Sequence, residues 1–83
     1  MLSAYPNPFN PATTLSFHLP EEGIIQLSIY NVTGQNVTEL AHFYKKAGKY
    51  EINWNANDYP SGVYFAHLRM IEKSHTQKLV LIK

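Results

Sequence analysis

The 83-residue chain contains no cysteine. Disulfide bridges, thiolate metal sites and cysteine nucleophiles are therefore excluded. Charged residues make up only 16% of the chain and the net charge is +1, which disfavours the clustered basic surface of a nucleic-acid-binding protein. No apolar run approaches the roughly 20 residues of a membrane-spanning helix. Hydrophobic residues make up 45% of the sequence, which is the balance of a small globular domain rather than of a disordered segment.

The start of the chain lacks the basic and apolar segments of a secretory signal. We expect Met1 to be an added start residue and the chain to be a domain cut from a longer protein. A chain of this length buries only about 60–65% of the surface that it exposes when unfolded. We therefore expect a single domain with little stability to spare.

Alternation of apolar and polar residues with a period of two recurs along the chain, and no long helical pattern competes with it. Turn signals separate the alternating segments, as in NVTGQ at residues 31–35, where Gly34 is suited to a positive φ. The pattern predicts an all-β fold, an immunoglobulin-like antiparallel β-sandwich of about seven short strands. A helix is the alternative over residues 37–46, but the flanking glycines favour a strand over about residues 36–42.

Large apolar residues at alternate positions are expected to form the core. Trp54 is the expected anchor, because an aromatic side chain of its size buries on the order of 200 Å². The predicted core consists of Leu15, Phe17, Leu27, Ile29, Tyr50, Ile52, Trp54, Tyr64, Leu68, Leu79 and Leu81.

The sequence contains no motif typical of a catalytic site. Glu21 and Glu22 are adjacent in a predicted turn, where a solvated pair is expected rather than the two carboxylates that flank a glycosidase cleft. No G-x-S-x-G motif presents a serine nucleophile, and no glycine-rich loop is suited to phosphate. We therefore expect no enzymatic activity and no cofactor.

The candidate metal ligands are histidines and amide oxygens. The four histidines are His18, His42, His67 and His75. Only His18 and His67 are expected to meet across a sheet face, which is fewer than the three or four convergent donors that zinc needs. NWNAND at residues 53–58 offers calcium several amide oxygens but a single carboxylate, a weak set for a hard cation. We expect no tightly bound metal.

A segment rich in proline and asparagine precedes the alternating pattern. We predict a leader over residues 1–12 and a sandwich over residues 13–83. Pro6, Pro8 and Pro11 each fix φ near about −65° and bias the preceding residue toward extended backbone. The leader is therefore expected to be extended, with Asn7 and Asn10 bonding locally in tight turns. Such a leader would set the angle of an upstream domain and limit strand addition at a sheet edge. A structural cap at the edge of the sandwich is the alternative role, and the two are compatible.

The order of motifs along the chain resembles that of one protein family. The opening motif consists of Tyr5, Pro6, Asn7, Pro8, Phe9, Asn10 and Pro11. A strand with Thr14, Phe17, Leu19 and Pro20 follows, and then a segment with Gly23, Leu27, Ile29, Tyr30, Asn31, Gly34 and Gln35. The later motifs are Gly48 before the Trp54 strand, SGVYF with Gly62 and Tyr64, and a final KLVLIK. Over residues 5–83 the chain resembles the type A C-terminal sorting domain of type IX secretion cargo proteins of the Bacteroidetes.

The resemblance implies a non-catalytic C-terminal signal that directs a larger cargo protein across the outer membrane. It implies recognition by the type IX translocon after transit through the periplasm, and a cut upstream of the domain by a sortase-like protease. Attachment of the cargo to lipopolysaccharide is a further implied step, with the cell surface or the medium as destination. In the final strand Leu79 and Leu81 are expected to face the core. The candidates for translocon contact are Lys78, Val80, Ile82 and Lys83.

Two other functions fit the predicted sandwich. A carbohydrate- or protein-binding module would use exposed Tyr30, Tyr59 or Phe65. An immunoglobulin-like spacer, similar to the small sandwich domain of flagellar hook-capping proteins, would need no binding surface. Aromatic rings that are coplanar along one face would favour glycan binding, whereas an ordered C-terminal strand on a polar surface would favour sorting.

Overall fold

A computed structural model describes residues 2–83, so Met1, the expected added start residue, lies outside the described residues. Seven strands make up most of the chain: β1 (Leu2–Tyr5), β2 (Ala12–Leu19), β3 (Gly23–Asn31), β4 (Asn36–Lys45), β5 (Gly48–Asn55), β6 (Gly62–Arg69) and β7 (Ser74–Leu81). Residues 2–83 contain no helix, which confirms the all-β prediction. The segment with the helical alternative is β4, and this strand is longer than predicted.

The strands form two antiparallel sheets. One sheet has the order β1-β2-β5 and the other has the order β4-β3-β6-β7. This is the strand order of an immunoglobulin-like sandwich in which the fourth strand pairs with the third, in the sheet that also contains the sixth and seventh strands. The predicted sandwich is confirmed, and β7 lies at an edge of the larger sheet.

The core between the sheets contains the predicted residues. Trp54 is only 3% exposed, and nine of the eleven predicted residues are buried. Tyr50 and Ile52 are only partly buried, because β5 is an edge strand of the smaller sheet. Eight further buried residues were not part of the predicted core: Leu2, Phe9, Leu19, Ile25, Ala41, Ala56, Ala66 and Met70.

Three rings surround Trp54. Its ring centroid lies 5.6 Å from that of Phe9, 5.7 Å from that of Tyr59 and 5.5 Å from that of Tyr64. Near the start of β6, the Tyr64 hydroxyl donates to the Pro60 carbonyl oxygen at 2.6 Å, which is the tyrosine corner of immunoglobulin-like domains. Burial, with a smaller contribution from Tyr59, raises the pKa of Tyr64 above its ordinary value of 10.0. The aromatic cluster therefore joins β5, β6 and the opening segment.

The β3–β4 turn has the predicted chemistry. Gly34 has a φ of 85°, in the left-handed region that favours glycine. The Asn31 side-chain oxygen accepts from the backbone N–H of Thr33 at 3.1 Å and of Gln35 at 3.0 Å. Asn31 and Gly34 therefore determine the turn by which the chain reverses direction between β3 and β4.

The opening segment is extended only at its start. Leu2–Tyr5 form β1, in which Leu2 pairs with Phe17 of β2. Bends follow over residues 6–8 and 10–11, and the peptide bonds before Pro6, Pro8 and Pro11 are cis. The expected extended conformation therefore ends before Pro6. The boundary between a leader and a sandwich at residue 12 stays a prediction.

Candidate functional site

Residues 6–11, which we call the strap, leave the smaller sheet after β1 and cover part of the edge of β7. Phe9 forms a parallel bridge with Leu81. The Phe9 N–H donates to the Val80 carbonyl oxygen at 2.9 Å, and the Ile82 N–H donates to the Phe9 carbonyl oxygen at 2.9 Å. The chain then returns to the smaller sheet at Ala12, the first residue of β2. The strap therefore ties the end of β7 to the other sheet.

Asn7 extends this pairing with its side chain. Its Nδ2 donates to the Lys78 carbonyl oxygen at 2.8 Å, and its Oδ1 accepts from the Val80 N–H at 3.0 Å. One amide side chain therefore satisfies a donor and an acceptor of β7, as a residue of a neighbouring strand would. The expectation that Asn7 bonds locally is wrong, because its partners lie 71 and 73 residues away in the sequence.

Phe9 holds the strap in place by burial. Its side chain is 2% exposed and packs against Trp54 in the core. The exposed Pro8 and Asn10 flank it on either side. Because the phenyl ring is part of the core, the strap cannot leave β7 without exposing the ring to water, which is costly for an aromatic side chain.

The two faces of β7 differ as the alternation predicts. Leu79 and Leu81 are buried in the core. The candidate contact residues Lys78 and Val80 lie on the outer face, where they pair with Phe65 and Val63 of β6. Val80 is half-buried, and Lys78 is exposed. The end of β7 therefore presents a positive charge beside apolar side chains on a face that the core does not use.

The two residues after β7 are also exposed. Ile82 is 50% exposed. Lys83 is tied to the β5–β6 segment: its Nζ donates to the Asn57 carbonyl oxygen at 2.6 Å, and its backbone N–H donates to the Ser61 hydroxyl oxygen at 3.2 Å. The structure thus brings Lys78, Val80, Ile82 and Lys83 to the same end of the molecule. Their role in recognition stays a prediction.

A protein-family model, described as the secretion system C-terminal sorting domain, matches residues 3–83 of the chain. The chain belongs to this family. It is a C-terminal sorting signal for type IX secretion, which interacts with that secretion system and directs proteins to the cell surface or outside the cell. Sorting domains of this family are in general non-catalytic. No curated protein matches the chain.

The family motif of the sorting domain is distributed over several structural features. Tyr5 is 83% exposed at the end of β1, and the residues that follow it form the strap. Gly34 and Gln35 lie in the β3–β4 turn. Gly62 and Tyr64 begin β6 and contribute the tyrosine corner. These residues therefore build the fold around β7, which the strap contacts at its edge and which Gly62 and Tyr64 contact from β6.

The aromatic residues of the alternative binding function do not form a platform on the sorting domain. Tyr59 packs into the core cluster, and its hydroxyl donates to the Val37 carbonyl oxygen at 3.2 Å. Tyr30 meets His67 edge to face, with their ring planes at 84°. Phe65 is half-buried. Tyr30 and Phe65 are cross-strand neighbours, whereas Tyr59 lies apart from them in the core cluster. The family match does not favour the carbohydrate- or protein-binding alternative.

The remaining candidates do not converge. His18 lies on β2 and His67 on β6, in different sheets, so the expectation that they meet across one sheet face is wrong. Glu21 and Glu22 are exposed in the β2–β3 turn. A hydrogen bond to Glu22 is the main cause of a raised pKa at Tyr44. Residues 2–83 include no group of three or more histidine, aspartate or glutamate side chains suited to a metal, and no helix long enough to span a membrane.

Proposed function

We propose that the translocon recognises the sorting domain through the outer face of β7 and the two residues that follow it. The contact residues are Lys78, Val80, Ile82 and Lys83. The observation that supports this surface is the exposure of apolar Ile82 beside two lysines, at the strand that the strap holds in a fixed position.

The chemistry of the surface suits a protein partner. Isolated exposed apolar residues are common, but here Ile82 and half-buried Val80 lie between Lys78 and Lys83 in the sequence. Burial of the two aliphatic side chains would supply most of the affinity, and the lysines would select a partner with acidic residues around an apolar patch. Because Asn7 and Phe9 order β7 beforehand, binding would cost little conformational entropy.

The wider pathway is part of the same proposal. The domain passes through the periplasm, a sortase-like protease cuts upstream of it, and the cargo is attached to lipopolysaccharide or released. The sorting domain itself performs no catalysis. β1 begins at Leu2, whose side chain is buried, so a cut that spares both sheets has to fall before β1. On this proposal, residues 1–12 are a leader, and they remain attached to the sandwich over residues 13–83 after cleavage.

A secretion assay tests the surface. Residues 2–83 are fused behind a signal peptide and a reporter and expressed in a host that has a type IX system. The intact fusion is expected to reach the medium or the cell surface, whereas the Lys78→Ala/Lys83→Ala pair is expected to remain in the cell. Surface lysines usually change stability by no more than about 0.5 kcal/mol, so the pair is expected to fold. Circular dichroism of the purified domain checks this.

The matched control is the Lys46→Ala/Lys49→Ala pair, which removes the same charge from exposed positions near the start of β5. It is expected to be exported normally. Deletion of residues 78–83 is less informative, because it also removes Leu79, Leu81 and the partners of the strap. Normal export of the folded Lys78→Ala/Lys83→Ala pair would remove these lysines from the recognition surface.

A further inference from the structure

The strap closes only one half of the β7 edge. Backbone groups of alternate residues in a strand point to the same side. On the side away from β6, the Lys78 carbonyl, both backbone groups of Val80 and the Ile82 N–H are all bonded to the strap. The N–H groups of Thr76 and Lys78 and the carbonyl of Thr76 point to the same side, beyond the end of the strap.

We infer, on the basis of the proposed function, that an extended strand of the type IX machinery pairs with the open half of the β7 edge, residues 74–78. Among residues 2–83, β7 pairs with no strand other than β6, and the strap bonds no residue before Lys78. The open half therefore presents unpaired donors and acceptors at the spacing of a strand, the arrangement to which an extended peptide adds. The Phe9 bridge is an example of such pairing at the same edge.

The other edges of the two sheets are less suited to strand addition. β1 has only four residues, and the pairing of β4 with β3 is interrupted by two register shifts. β5 carries exposed Lys49 and Glu51, charges of the kind that protect an edge. Residues 74–77 of β7 have no lysine, arginine, aspartate or glutamate and no proline. Lys78 is the one charged residue of this half-edge, and β1 of the smaller sheet is the other element close to it. The half-edge is continuous with the proposed recognition surface.

The test is the Thr76→Pro variant in the secretion assay. Proline removes the outward N–H of residue 76 and blocks an approaching strand, but the N–H groups of residues 75 and 77, which face β6, remain. Export is expected to fall at least about tenfold while the domain stays folded by circular dichroism. The matched control is Thr76→Val, which keeps the N–H and removes only the hydroxyl that contacts His67 Nδ1 at 3.1 Å. It is expected to be exported normally.

A second variant, Ser74→Pro, is tested in case Thr76→Pro does not fold. Ser74→Pro changes the first residue of β7, where proline is best tolerated, and removes an N–H on the same side. Amide hydrogen exchange of the unmodified domain tests the premise independently. The Thr76 and Lys78 amides are expected to exchange fast, and the Val80 and Ile82 amides slowly, because the latter are bonded to the strap.

The outcomes separate this inference from the proposed function. Normal export of the folded proline variants, with loss of export in the Lys78→Ala/Lys83→Ala pair, would overturn strand pairing and leave recognition by side chains intact. Reduced export of Thr76→Pro with normal export of the lysine pair would overturn recognition by the lysines and support recognition by backbone pairing. Slow exchange at Thr76 and Lys78 would overturn the inference in any case.

Discussion

The Trp54 ring packs against aromatic rings from three separate parts of the chain. Phe9 comes from the strap, Tyr59 from the β5–β6 segment and Tyr64 from β6. The indole thereby links the residues that hold β7 to the residues that build the sandwich. In a domain of 83 residues, a single ring of this size contributes a large share of the core.

Replacement of Trp54 by alanine is expected to lower the free energy of unfolding by about 3–5 kcal/mol, because it leaves a cavity among three rings. Chemical denaturation of the purified domain measures the loss. Trp54→Phe, which keeps an aromatic ring, is the control and is expected to cost less. A loss below about 1 kcal/mol for the alanine variant would contradict the role of Trp54 as the core anchor.

The strap and β7 form one structural unit although they lie at opposite ends of the sequence. The Asn7 side chain supplies one donor and one acceptor to β7, and the Phe9 backbone supplies another of each. These four hydrogen bonds join the strap to the end of β7. The strand proposed to be recognised is thus ordered by the proline-rich segment.

The Asn7→Asp variant tests this unit. Aspartate still accepts from the Val80 N–H, but its second oxygen faces the Lys78 carbonyl oxygen in place of a donor. Loss of the bond and repulsion between the oxygens are expected to cost about 1–3 kcal/mol at neutral pH. Below a pH of about 4 the protonated carboxyl can donate again, so the difference from the unmodified domain is expected to shrink. Thermal unfolding at both pH values measures the effect.

Asn10→Asp is the matched control for this variant. It makes the same change of charge within the strap, at an exposed residue whose side chain has no hydrogen-bond partner among residues 2–83. It is expected to change stability by no more than about 0.5 kcal/mol. Equal losses for the two variants would mean that charge in the strap, and not the bonds to β7, determines the effect.

At the scale of the whole molecule, the sandwich keeps its potential metal ligands apart. His18 lies on β2, His42 on β4, His67 on β6 and His75 on β7. Within the described part of the chain, no three histidine or carboxylate side chains come together.

We expect the purified domain to contain no stoichiometric metal and to need none. Elemental analysis of protein prepared without a metal-affinity tag is expected to give less than about one-tenth of a zinc or calcium ion per chain, since the convergent donors of a structural site are missing. A chelator is expected to leave the thermal midpoint unchanged. One bound ion per chain, or a lower midpoint with the chelator, would contradict the expectation.

The sequence by itself determined the features that depend on local order. Alternation identified β2 to β7, though not β1, which lies in the segment predicted to be a leader. It assigned Leu79 and Leu81 to the core and Lys78 to the outer face, because successive side chains of a strand point to opposite sides. Gly34 marked the β3–β4 turn, because few other residues adopt a positive φ. The motif order identified the family before the structure was considered.

Only the tertiary structure decided how the strap is used. Phe9 stands alone among prolines and asparagines and belongs to no periodic pattern, so its burial was not predicted. The bonds of Asn7 were predicted to be local, but they reach Lys78 and Val80. The physical reason is that the strap bonds to backbone groups at a sheet edge. Every sequence has such backbone groups, so no residue pattern identifies them as partners. They lie beside the strap only after both sheets have closed around the core.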